Sequence, residues 1–336
     1  MSSTNPSQDL SATAPHVRRW RDVALLGGLF ALMLFGLIGL AAATGWEETK
    51  TQLMKLTTWE VGVLLALSLV NYLFRGLRWH IFARRLGLPT GLWQDIRHFL
   101  GGFAMSVTPG RVGELIRMRW LKRETGWAFE RTAPLVLVDR ASDLAAMAVI
   151  LGVALALSAG GIAFAVPVTV LAFVAAIVVT RPTLFKAVVT YSYKATGLFP
   201  RLMGRLRIAS RSLARFTNPT VLALAAGLGI IGWLAEGYAF HLLLMWMGVD
   251  IGFWKAVAIF VFSTLAGGLT GAPGGVGGAE AAMVALLTLE GVPLEVSIPA
   301  TAVIRLTTLW FAIGIGLAIF PIAERHSLRT RHALEN

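Results

Sequence analysis

The sequence predicts an all-α polytopic membrane protein, with about six transmembrane helices and two re-entrant helical hairpins forming an inverted-topology repeat. Three observations predict it. The chain is 56% hydrophobic and 14% charged, with a mean hydropathy of +0.69, whereas soluble domains carry about 25% charged residues. Two long apolar stretches are each broken by a Pro-Gly motif, and the two motifs resemble each other. Basic and acidic loops alternate along the chain as the positive-inside rule requires.

A helix that crosses the bilayer needs about 20 apolar residues. Residues 1–15 are polar and fall outside the single membrane domain expected over 16–324. Val23–Ala43 follows Arg18, Arg19 and Arg21, and it is too long for a signal-peptide core of about 7–15 residues. It therefore reads as a retained span leaving the cytoplasm. Trp59–Phe82 returns to Arg84 and Arg85. Ile96–Leu121 is interrupted at Thr108-Pro109-Gly110, so neither half can span, and its basic feet place both ends in the cytoplasm. Ala133–Leu157 and Ile162–Thr180 go out and back. The segment 181–217 holds eight Lys or Arg between Arg181 and Arg215, no acid, and interleaved aromatic and aliphatic residues. That pattern suits amphipathic helices on an anionic lipid surface. Val221–Met247 leads out to Asp250, and Trp254–Leu289 is broken at Ala272-Pro273-Gly274-Gly275 with acidic feet outside. Ser297–Phe320 returns to the basic tail 325–336, so both termini are expected in the cytoplasm.

The broken stretches align. Pro109-Gly110-x-Val112-Gly113 matches Pro273-Gly274-x-Val276-Gly277, and Glu114 matches Glu280 with two residues inserted. The flanks follow: Asp139-Arg140 aligns with Ile304-Arg305, and Arg75, His80 and Gly87 align with Glu236, His241 and Gly248 at constant spacing. Residues 58–158 thus form one unit and 220–321 a second, entering from opposite faces. Inverted repeats with broken helices are a transporter signature, with the substrate held near the midplane where the repeats meet. Broken backbone cannot face lipid, so the tips Thr108, Pro109, Gly110 and Pro273, Gly274, Gly275 must be buried or line a wet cavity. The plainer reading of these glycines is tight helix packing.

Ionisable residues inside spans are costly, about 2.5–3.5 kcal/mol each on insertion scales. Here they concentrate in the two units: Arg75 and Arg78, then Arg111 and Glu114 after the first tip, Asp139, Arg140 and Asp143, then Glu236, Glu280 after the second tip, and Arg305. Arg78 is close enough to the interface to snorkel, and Arg75 is deeper. Glu236 sits mid-span and needs a cationic partner, for which Arg75, Arg140 and Arg305 are the choices. His80 and His241 read as packing residues. The plain reading is a set of structural ion pairs. The functional one is a polar groove in which arginine forks hold a phosphate and carboxylates balance or relay charge, with Asp139, Asp143 and Glu236 as proton carriers. Arg140 and Arg305 would approach a headgroup from opposite sides.

Several function classes are excluded or disfavoured. There is no cysteine, so no disulfide or thiolate metal site forms. No histidine pair has metal-ligand spacing, and neither a metal nor another cofactor is expected. No GxxxxGK[ST], HExxH or GxSxG motif occurs. The net charge of +12 is spread over loops between apolar runs, which points to lipid and topology rather than nucleic acid.

At Asn71-x-x-x-Arg75-x-x-Arg78-Trp79, Thr108-Pro109-Gly110-Arg111-Val112-Gly113-Glu114, Asp139-Arg140, Gly271-x-Pro273-Gly274-Gly275-Val276-Gly277-x-x-Glu280 and the Arg305 helix, the chain resembles the lysylphosphatidylglycerol synthase transmembrane region. This is the flippase-like domain of the multiple peptide resistance factor. The resemblance implies two re-entrant hairpins and movement of lipids between leaflets. The chain ends at Asn336, shortly after the last span, so the synthase activity of two-part members is not expected of it. The expected function is that of a lipid translocator in a bacterial-type inner membrane, a flippase or scramblase and not an enzyme. Its substrate would be an anionic or aminoacylated phospholipid or a polyprenyl-phosphate-linked lipid. Two other readings compete: an enzyme that modifies lipid headgroups, and a scaffold for a separate lipid synthase or glycosyltransferase. A homo-oligomer is compatible with either.

Overall fold

A computed structural model describes residues 54–106, 112–157, 181–196, 218–270 and 272–335, with Phe216 and isolated helical positions within 28–51 and 166–178. Every regular element among them is helical. The spans expected at Val23–Ala43 and Ile162–Thr180, the tip Thr108–Arg111 and most of the basic segment after Thr196 fall outside the described residues.

Among the described residues, four stretches are long and apolar enough to cross a membrane: Thr58–Leu86, Phe129–Leu157, Pro219–Trp246 and Leu294–Thr330. The first, α1 (Thr58–Leu86), starts with a capping box in which Thr57 and Glu60 satisfy each other's backbone N–H groups. It stops at Gly87, whose φ of 90° is open to glycine at little cost. Helix α6 (Pro219–Trp246) starts at an Asn218 cap followed by proline, the residue best suited to a first helical turn. It ends as α1 does. Leu88 N–H donates to Ala83 and Gly87 to Arg84; at the equivalent offset Val249 donates to Leu244 and Gly248 to Met245.

Each broken apolar stretch folds into two short helices packed side by side. In the first, α2 (Leu92–Gly101) tightens into a 3-10 turn over Gly102–Met105 and is followed by α3 (Val112–Thr125). The halves touch through glycine, since a Cβ on Gly113 would strike the Gly102 carbonyl. In the second, α7 (Phe253–Leu269) and α8 (Gly278–Leu289) flank a tight turn at Pro273–Gly275 in which Gly274 and Gly275 have φ of 63° and 69°. A Cβ on Gly267 would come within 2.7 Å of the Ala279 methyl, so the pair closes only without it.

Helix α4 (Phe129–Leu157) and the helix α5 (Pro182–Thr196) complete the first part of the chain. Leu184, Val188 and Tyr191 are exposed on α5 at helical spacing. The last span is a rod in three pieces: α9 (Leu294–Arg305), a π-helical turn over Leu306–Trp310 and α10 (Phe311–Glu335). The helix thus runs on to Glu335, beyond the sequence-derived end at Phe320.

The core has two main parts. One joins α4, α6, α7, α8 and α9 around Phe240, Phe260 and Met283; the other joins α1, α2, α4 and α10 around Trp79, Phe82 and Phe99. Helices α1 and α6 cross where Gly232 lies on Asn71, an ideal Cβ there being 3.4 Å from the Asn71 Cα. Asn71 and Gly232 are related by the offset that relates Arg75 to Glu236, so the crossing falls where two equivalent positions meet.

Candidate functional site: a charged cavity between the two halves

The charges predicted from sequence, Arg111 aside, gather on α1, α3, α4, α6, α8 and α9. Asp143 is the hub. Its carboxylate accepts from Arg75 Nη2 at 2.8 Å, Arg78 Nη2 at 2.7 Å and Trp233 Nε1 at 3.2 Å. Arg140 Nη1 lies 3.4 Å from it. Arg78 also holds Asp139 Oδ1 at 2.6 Å and is fully buried, so it does not snorkel. The i, i+4 spacing of Asp139 and Asp143 puts both acids on one face of α4, opposite the i, i+3 pair Arg75 and Arg78 of α1. Arg75 also lies over the Trp233 ring, 5.1 Å from its centroid.

Each hairpin helix pairs its first-turn acid with an arginine from the span that follows. Arg140 Nε lies 2.8 Å from Glu114 Oε1, and Arg305 Nε lies 2.6 Å from Glu280 Oε1. Glu280 caps its own helix as well, accepting from Gly277 N–H at 2.7 Å, and Arg305 Nη2 donates to the Gly274 carbonyl at 3.0 Å. One arginine thereby fixes both the tip and the first turn of α8. Tyr72 hydroxyl donates to the Thr308 carbonyl, which lies in the π turn of the last rod.

Between these groups lies a cavity of about 440 Å³. Arg75, Glu114, Arg140 and Asp143 line it from the first unit, and Glu236, Gly274, Gly275 and Arg305 from the second. Arg78, Asp139 and Glu280 stand behind this surface as ion-pair partners. Thr108, Pro109, Gly110 and Arg111 are outside the described residues, and Pro273 is described only in its backbone.

Three features differ from the sequence reading. Glu236 was expected to carry a cationic partner, yet among the described residues no ion pair reaches it, although it is only 5% exposed. The candidate arginines are taken: Arg75 by Asp143, Arg140 by Glu114, Arg305 by Glu280. His80 is not a simple packing residue, because its Nδ1 lies 2.6 Å from Asp95 Oδ2, which also accepts from Thr90. His241 does pack, stacking on Tyr238 and edge-on to Phe253.

The third is Arg117, which the sequence reading passed over. It is 3% exposed, lines the cavity, and forms no ion pair with an acid among the described residues. Its guanidinium sits 4.3 Å from the Phe99 ring centroid and 5.4 Å from that of Trp79, and its Nε and Nη1 lack hydrogen-bond partners. Aromatic faces stabilise a cation without neutralising it. A signal was present: Arg117 lies one turn after Glu114 on the cavity face, where the second unit has apolar Met283 one turn after Glu280.

At the foot of the first hairpin, Glu124 is ringed by Arg97 at 3.3 Å, His98 Nε2 at 3.0 Å and Gln94. Burial alone would raise its pKa, but His98, Gln94 and Arg97 outweigh that and hold the carboxyl below the ordinary 4.5. Glu324 of α10 binds Arg119, Arg123 and Trp120 Nε1 at 2.9, 2.8 and 2.7 Å, tying the last helix to α3. No group of three or more His, Asp or Glu suited to a metal ion occurs among the described residues.

Known proteins resemble this chain in sequence. A membrane protein of Methanothermobacter thermautotrophicus designated UPF0104 is 25% identical over 317 residues, covering 86% of this chain and 94% of the relative. A second match of the same designation and organism is 30% identical over 124 residues, 37% of either chain. The model of the lysylphosphatidylglycerol synthase TM region matches residues 24–316, and the chain is an integral membrane protein belonging to that family.

Proposed function

We propose that this protein moves an anionic lipid between the leaflets of a cell membrane, the headgroup passing through the cavity while the acyl chains stay in lipid. The observation that carries the reading is Arg117: a buried guanidinium facing a cavity between the two halves, left without a counter-ion among the described residues. Taking a charge out of water without a partner is costly, so such a residue is a poor structural element and a good receptor for a phosphate. In this reading the two halves are inverted repeats and the broken stretches re-enter the membrane. Substrates that fit are anionic or aminoacylated phospholipids and polyprenyl-phosphate-linked lipids, and no enzymatic step is assigned.

The test is reconstitution in liposomes with fluorescent phosphatidylglycerol and a membrane-impermeant quencher. The reading expects protein-dependent movement that falls at least tenfold in Arg117→Ala. No movement by wild type, or equal movement by the variant, would overturn it. Orientation is testable separately. With no native cysteine, Glu295→Cys should label from outside intact cells and Arg329→Cys only after permeabilisation.

A further inference from the structure

We infer that Glu236 is a proton-binding site, and that a proton enters the cavity with each anionic headgroup. The inference rests on the translocation reading and selects one of the three acids that the sequence offered as proton carriers. Asp139 and Asp143 are eliminated by geometry: Arg78 lies 2.6 Å from the first, and Arg75 and Arg78 lie 2.8 and 2.7 Å from the second. Both acids are thereby taken up by arginines.

Glu236 has no such support. It is 5% exposed, lines the cavity and takes part in no ion pair among the described residues. The charged and titratable groups facing it are Tyr72 and Arg75 from α1, Asp143 from α4 and Arg305 from α9. Arg75 and Arg305 are committed to Asp143 and Glu280, and the Tyr72 hydroxyl is bonded to Thr308. Helix α7, also packed on α6, carries only Lys255, which is tied to Glu290 at 2.6 Å. A buried carboxyl lacking a free cation keeps its proton.

Charge accounting at the cavity gives the linkage its sign. Asp139 and Asp143 neutralise Arg75 and Arg78, Glu114 neutralises Arg140, and Glu280 neutralises Arg305. Among the described residues Arg117 is left over. Counting those residues, the site carries one net positive charge with Glu236 protonated and accepts a monoanion; with Glu236 ionised it is neutral. An entering phosphodiester adds negative charge and so favours the proton on Glu236. Proton and anion therefore bind together, and the preferred cargo is a monoanionic phosphodiester.

Two measurements test this. Infrared difference spectra of the purified wild type, taken on raising the pH, should show a buried protonated carboxyl that disappears in Glu236→Gln; Glu236→Asp should keep such a band at a shifted position. In liposomes containing phosphatidylglycerol, a gradient of about two pH units should change the wild-type rate at least threefold, and should not change the rate of Glu236→Gln. A band that is absent, or that persists in Glu236→Gln, overturns the proton site. Lipid movement indifferent to the gradient overturns the linkage and leaves translocation standing. No lipid movement under any condition overturns the translocation reading and the linkage with it, while the infrared band still decides whether Glu236 holds a proton.

Discussion

Arg305 Nε lies 2.6 Å from Glu280 Oε1, and the same guanidinium donates to the Gly274 carbonyl 3.0 Å away. One side chain of the last rod thus holds the second tip in place. Removing it leaves the Glu280 carboxylate without its counter-charge and the Gly274 carbonyl without this donor, in a site where Arg305 is 6% exposed.

Arg305→Ala should therefore destabilise the protein by roughly 3–5 kcal/mol, the range for breaking a buried pair from one side. Glu280→Ala should cost a similar amount and also weaken the first turn of α8. The double variant should be less damaged than the two single losses combined, because no charge is left unmatched. Thermal melting in detergent, followed by size-exclusion chromatography, measures all three.

Arg117 should behave oppositely. Its charge is desolvated and uncompensated among the described residues, so Arg117→Met, which keeps the packing on Phe99 and Trp79, should raise stability by about 1 kcal/mol or more. The same change should lower lipid movement at least tenfold. A variant that melts lower would show that the guanidinium is structural.

Glu124 sets a dependence on acid. Its folded pKa lies below the unfolded value of about 4.5, so its contribution is complete above that value and is lost as the pH falls through the lower folded one. The contacts among α2, α3 and α10 should loosen as the pH falls below that unfolded value. Glu124→Gln should melt lower than wild type at neutral pH and lose less on acidification, and melting curves across pH 3 to 7 would show both.

Packing between α10 and the first hairpin makes a sharper contrast. A Cβ on Gly316 would strike the backbone of Phe103 and Ala104, whereas one on Gly314 meets nothing within 4 Å. Gly316→Ala should lower the melting temperature by several degrees or block folding. Gly314→Ala should be neutral or slightly stabilising, by up to about 1 kcal/mol from helix propensity.

Much of the architecture was legible in the sequence, because its signals are local. Asn218-Pro219 starts a helix, Gly87 and Gly248 end two, and Pro273-Gly274-Gly275 breaks one. Arg75, Asp143, Glu236 and Arg305 were legible because an ionisable residue stands out in an apolar span. Arg117 was hidden by its surroundings: in Arg117-Met-Arg-Trp-Leu-Lys-Arg123 it looks like one more basic residue at a cytoplasmic foot. Helical phase separates them, turning Arg117 and Trp120 inward while Arg119 and Arg123 reach Glu324. The His80–Asp95 pair and the lack of an ion pair to Glu236 among the described residues depend on which helices meet, and no local pattern encodes that.

The missing side chain at Gly316 has a mechanical corollary. The 3-10 turn of the first hairpin lies directly on α10, backbone against backbone, and Glu324 fastens α10 to α3 of the same hairpin further along. The last helix of one half and the hairpin of the other are in effect a single lever. Opening of the cavity should move them together, so a crosslink between residues 123 and 324 should leave the proposed lipid movement intact while one that bridges α1 and α6 should stop it.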